Sequence, residues 1–126
     1  MKPRWLLAPA LAVALLAARP RHALPPLPDV VYGRYGPVPV KRVHAVDCPM
    51  PGNPDSKGVI GCYTASTRTI QIADSLSAEY AWWVLYHEEV HLGARDDGMA
   101  YTGPIEEAYA SSVARYRLGE RLAAEP

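Results

Sequence analysis

The chain has 126 residues, and its 13 Lys+Arg are balanced by 13 Asp+Glu, for a formal net charge of zero. That length holds one domain, which excludes a two-domain dinucleotide-binding enzyme or a (β/α)8 barrel of the usual ~250 residues. With no basic excess there is no electrostatic basis for a nucleic-acid partner, and 49% hydrophobic residues suit a folded domain.

Lys2 and Arg4 precede an uncharged, Leu- and Ala-rich run, Leu6–Ala18, interrupted by Pro9. A basic start and a short apolar stretch form the secretory-signal pattern, and the run falls short of the ~20 residues that span a bilayer. Residues 1–23 are therefore read as a signal peptide, with cleavage near 18 or 23. The expected location is periplasmic or secreted, with no stable membrane insertion after processing; an uncleaved anchor is the alternative. Removing Lys2 and Arg4 from the neutral chain leaves −2, and losing Arg19 and Arg21 as well leaves −4.

Residues 24–37 read as a Pro-rich extended lead-in, and residues 38–126 as the single domain. Val38–Val46 alternates loosely and is a weak strand candidate. Cys48 and Cys62 flank a Pro/Gly-rich loop of 13 residues. In an exported protein these two cysteines are expected to pair rather than remain free thiols. A loop of that size gives a cross-link worth about 3 kcal/mol by chain entropy. No CxxC pair is present to favour a cysteine metal site.

Gly58–Thr64 and Arg68–Ala73 flank Ala65-Ser66-Thr67 as the arms of a hairpin, and the second arm alternates polar and apolar residues. Asp74, Ser75 and Ser77 are N-cap candidates for a helix over Ser77–Leu92, with Gly93 placed to stop it. A polar loop over Arg95–Thr102 leads to a second helix, Ile105–Ala123, with Pro104 at its start and Glu106 and Glu107 in the first turn. Gly119 weakens that helix. Strands first and helices last make the class α+β, a short antiparallel sheet packed on two helices.

The first helix contains His87-Glu88-Glu89-Val90-His91. Histidines at i and i+4 lie ~40° apart on one helix face, so both imidazoles can reach one ion. Glu88, one step round, is placed to take a proton from a metal-bound water, whose pKa zinc lowers to ~7. Candidates for a third ligand are Glu107, Glu106, and Asp97 or Asp96. Glu107 shares a face with Ala110, Ala114 and Leu118, which lets two helices approach closely. Asp97 follows His91 at the spacing of another zinc-protease group, but Ala94 stands where that group needs Gly. Glu106 and Glu107 also simply suit the helix dipole.

The stretch from Gly61 to Leu118 resembles small gluzincin-type zinc metallopeptidases, through its hairpin, its HExxH helix and Glu107-Ala108-Tyr109-Ala110-Ser111. The resemblance implies a minimal zincin-like core, one zinc ion per chain, and Glu107 as third ligand beside His87 and His91. Ser111 stands where such families usually carry an Asp, and the gap from His91 to Glu107 is short. The resemblance also implies that Thr69–Ile72 lines the cleft and pairs with an extended peptide.

The expected function is an exported zinc-dependent peptidase acting on a peptide or protein, with Glu88 as general base. The alternative is a non-catalytic metal-binding or partner-binding envelope domain on the same scaffold. Of Trp82 and Trp83, one is expected in the core and the other at the cleft. Tyr101 and Tyr109 are candidates for oxyanion donors or for core packing. His44 reads as a polar residue remote from the site, and His22 as part of the removed segment. Arg115, Arg117 and Arg121 read as a solvated face.

Overall fold

In the computed structural model, which describes residues 24–124, strands β1 (Val30–Gly33), β2 (Gly36–Val43), β3 (Gly61–Thr64) and β4 (Thr69–Ala73) precede helices α1 (Ala78–Asp96) and α2 (Pro104–Ala124). Residues 1–23, which hold the expected signal peptide and His22, lie outside the described residues. The α+β class holds, but the sheet is mixed rather than antiparallel. Its order is β1-β2-β4-β3, with β2 and β4 parallel and both outer pairs antiparallel. A parallel pair needs a crossover of a dozen or more residues, and the disulfide loop followed by β3 supplies it. β4 is thereby placed between β2 and β3.

The alternation in β4 sets the core. Ile70 and Ile72 are fully buried beside Val38, Leu85 and Ala81, each large aliphatic side chain contributing roughly 1.5–3 kcal/mol. On the other face, the Gln71 amide takes the Asp47 N–H at 3.0 Å and donates to the Asp47 carbonyl at 3.1 Å. The lead-in is not irregular throughout, since Val30–Gly33 pairs with Gly36–Pro39 across a tight turn. Leu24 and Leu27 pack on the main core, and Trp82 Nε1–H donates to the Pro25 carbonyl at 2.8 Å.

Helix α1 starts as expected, with the Ser77 hydroxyl accepting the Tyr80 N–H at 3.2 Å. It does not stop at Gly93. It continues to Asp96 and ends before Gly98, which takes the left-handed φ of 76°. The last turn is held from outside the helix. Asp96 accepts the Arg34 N–H at 2.9 Å and both Arg68 Nη atoms, at 2.6 and 3.1 Å. One carboxylate thus fastens the β1–β2 and β3–β4 turns to the helix end. Those tertiary bonds outweigh the ~1 kcal/mol that a mid-helix Gly forfeits relative to Ala. Gly33 makes the junction possible, because a Cβ there would lie 2.5 Å from Asp96 Oδ2.

Helix α2 packs on α1 through Ala110 and Ala114, both fully buried. Toward its C-terminal end the seam is cationic and aromatic. Arg117 stacks 4.1 Å from the Tyr86 ring and bonds Glu89 at 2.8 Å. Arg121 lies 3.9 Å from the Trp82 ring and donates to the Tyr86 hydroxyl at 2.6 Å. Arg117 and Arg121 are therefore packing residues and not part of a solvated face; their long stems and planar heads suit aromatic surfaces. Arg115 is exposed.

Candidate metal centre

His87 and His91 project from the middle of α1 toward the first turn of α2. The buried Ala110 and Ala114 allow the backbone approach that brings Glu107 to them. Glu107 Oε2 lies 3.0 Å from His87 Nε2, and Glu107 Oε1 lies 2.9 Å from His91 Nε2. One ligand atom from each of the three residues falls within 4.8 Å of the others. Donors bound to one zinc at ~2.1 Å lie about 3.4 Å apart at a tetrahedral angle, so this set fits a single small ion. Burial holds the His87 imidazole below its ordinary pKa against the opposing pull of Glu107. That favours the neutral form, whose lone pair a metal requires.

The outer faces of both histidines are occupied. Glu106 Oε2 meets His91 Nδ1 at 2.5 Å, and Arg95 Nη2 bonds the other Glu106 oxygen. Burial pushes the Glu106 carboxyl up, but the bonds from His91 and Arg95 outweigh it and hold the group below the usual carboxylate range. Ser111 Oγ faces His87 Nδ1 at 3.4 Å, the place where the resemblance would have an Asp. A carboxylate behind a histidine fixes its ring and leaves the far nitrogen directed at the ion. Glu106 is therefore placed to orient His91, while the adjacent Glu107 faces both Nε2 atoms.

Asp96 and Asp97 are elsewhere. Asp96 is committed to Arg68 and the Arg34 amide, and Asp97 caps α1 at the surface, 3.6 Å from Arg34. The roles of Glu106 and Arg95 were missed at the level of sequence. The signal lay in the i, i+4, i+8 stripe of His87, His91 and Arg95, which puts a cation beside any carboxylate approaching from α2.

Glu88 lies under the two histidines, 5% exposed. Its Oε1 accepts the Tyr63 N–H at 3.2 Å. Gly61 permits this closeness of β3 and α1, since a Cβ there would fall 2.3 Å from Val84 Cγ1. Burial pushes the Glu88 carboxyl up to about 7, with the Glu107 charge adding to the rise and His91 and the Tyr63 amide opposing it. Tyr101 and Tyr109 are both exposed rather than core residues, and Tyr101 donates its hydroxyl to Glu107 Oε1 at 3.1 Å.

These groups open on a cleft of about 530 Å³. Trp83 lines it while Trp82 is core. The strand at the cleft is β3, through Gly61, Cys62 and Tyr63, and not Thr69–Ile72 as the resemblance implied. β4 has neighbours on both edges; β3 is the outer strand. Cys48 and Cys62 form the expected disulfide, with Cα atoms 6.1 Å apart, and both line the cleft. His44 is exposed and lies 3.9 Å from Asp74, away from this site. No family model, curated protein or solved structure matches the chain.

Proposed function

We propose that the protein is an exported zinc-dependent peptidase of zincin-like, gluzincin type. One observation carries this reading: three side chains of metal-ligating type converge beside a buried carboxylate in the lining of one cleft. His87, His91 and Glu107 would hold the ion, a His2Glu set that suits zinc. When bound, zinc supplies Lewis acidity, polarising a carbonyl and lowering the pKa of coordinated water to ~7.

The chain's own residues account for the rest. Glu106, clamped by Arg95, orients His91. Glu88, with a carboxyl near the working pH, takes a proton from the attacking water and returns it to the leaving amine. Its bond to the Tyr63 amide fixes the carboxylate against β3. β3 is an outer strand whose edge suits an extended peptide backbone, apart from the Tyr63 N–H that Glu88 takes. Tyr101 donates its hydroxyl to Glu107 and so steadies that carboxylate.

Export is supported by the Cys48–Cys62 disulfide. No helix among the described residues is long and apolar enough to cross a membrane. The described part of the lead-in packs near Trp82 and does not line the cleft, so it leaves the site open to substrate.

The test pairs metal content with hydrolysis of a broad peptide library. Wild type should carry one zinc and cleave; Glu88→Gln should keep the zinc and lose about 10²–10⁴-fold in rate. Equal activity in the two proteins would remove Glu88 from the reaction. A zinc-loaded wild type that cleaves nothing would leave a metal-binding domain without catalysis.

A further inference from the structure

The cleft has two chemically different ends. Helix α1 runs along it, with Trp83 and Val84 one turn before His87 and Arg95 one turn after His91. At the Arg95 end the lining includes Tyr101 and Tyr63. Strand β3 runs in the same direction as α1. Gly61 sits against Val84, and Tyr63 further on gives its N–H to Glu88. Residues just before Gly61, Val59 and Ile60, therefore belong to the end with Trp83 and Val84, and the disulfide-bridged loop adds Cys48 and Met50 to the cleft lining. None of those six side chains carries a charge.

The wall at this end is fixed, although it belongs to a loop. The disulfide closes it. Cys48 N–H donates to Ser56 Oγ at 2.6 Å, and Val59 N–H to the Ser56 carbonyl at 3.2 Å. The Asn53 side chain bonds both backbone groups of Lys57, at 3.0 and 3.1 Å. The Ile60 carbonyl accepts the Ala73 N–H at 2.9 Å, which ties the end of the loop to the sheet. A preformed apolar wall discriminates without an ordering penalty at binding.

We propose that this end is a specificity site for one large apolar or aromatic side chain of a peptide, with the disulfide-bridged loop as its selective wall. The proposal rests on the reading of the substrate as a peptide. A Phe or Leu side chain placed against Trp83 and the loop buries apolar surface there, and a charged side chain would be partly desolvated with no partner.

The test uses end-blocked octapeptides that carry Phe, Leu, Asp or Lys at each position in turn, with two readouts. Cleavage is measured with the exported wild type, and dissociation constants are measured by calorimetry with zinc-loaded Glu88→Gln. At one position Phe and Leu should exceed Asp and Lys by at least about tenfold in both readouts. Val59→Lys should weaken the Phe preference and raise Asp at that same position, with zinc content unchanged. Met50→Lys, a substitution at a more exposed point of the same wall, should act in the same sense. Cleavage or binding without an apolar preference overturns the proposal, as does a preference that both lysine variants leave intact. Apolar-selective binding without cleavage supports this site and refutes the peptidase. Neither binding nor cleavage refutes both.

Discussion

Helix α1 carries two polar clusters of opposite design. At its last turn Asp96, which is 8% exposed, receives Arg68 and the Arg34 amide. Negative and positive groups meet there, and both chain turns that touch the helix end are fixed. Between one and a half and two and a half turns earlier, His91 and His87 lie with Glu107 of α2 so that one ligand atom from each falls within 4.8 Å of the others. The cation nearest them, Arg95, is spent on Glu106 behind His91. The first cluster is complete in itself and stabilises the fold. The second gathers three side chains of a kind that can hold one metal ion. The contrast lies in what each carboxylate meets: opposite charges complete a structural joint, and grouped ligating side chains make a candidate metal site.

The sharpest way to break this comparison is metal content. His87→Ala and His91→Ala should each abolish stoichiometric zinc, read by elemental mass spectrometry, while Asp96→Asn should retain it and lower the melting temperature. Zinc unchanged in both histidine variants would show that the converging donors are not a metal site. Joint substitution of Cys48 and Cys62 by Ser should cost about 3 kcal/mol, measured by denaturant unfolding, with zinc still bound because neither cysteine belongs to the second cluster.

A finer division falls between adjacent carboxylates. Glu106→Gln should weaken zinc affinity about 10–100-fold, the usual effect of losing a histidine's supporting partner, and Glu107→Gln should weaken it more. Competition with a chelator separates them; the reverse order would make Glu106 the ligand.

The smallest effect expected is the pH dependence of the structural joint. The Arg68 hydrogen bonds hold the Asp96 carboxyl below its ordinary pKa. A depressed folded pKa means that the joint's stabilisation is present above the unfolded value of ~3.9 and is lost as pH falls through the folded value. The melting-temperature gap between wild type and Asp96→Asn should therefore be constant near neutrality and close below about pH 4. A gap that persists in acid would show that Asp96 acts by shape and not by charge.

Local chemistry made much of this molecule legible in its sequence. Alternation in Thr69–Ala73 marks a half-buried strand, Ser77 marks a helix start, and Pro104 a second one. Cys48 and Cys62 across a Pro/Gly loop mark a disulfide, and the i, i+4 spacing of His87 and His91 places two imidazoles on one face. Each of these depends on bonds or periodicities within a few residues, or on a single pair. The small face of Ala110 and Ala114 even indicated which side of α2 would approach α1.

What the tertiary structure alone decided depends on partners distant in the chain. Gly93 has the chemistry of a helix stop, yet α1 runs past it because Arg68 and the Arg34 amide hold Asp96, contacts 28 and 62 residues away. Val30–Gly33 is a strand because β2 offers it an edge, against the bias of its Pro-rich surroundings. β4 was expected at the cleft but is an inner strand, because a long crossover set it beside β2. Glu106 and Glu107 are neighbours with nearly identical local signals, and only the crossing of α2 over α1 gave one of them both histidine Nε2 atoms and the other His91 Nδ1 and Arg95. Sequence periodicity specifies which face a side chain occupies; what it meets there is set by packing between elements.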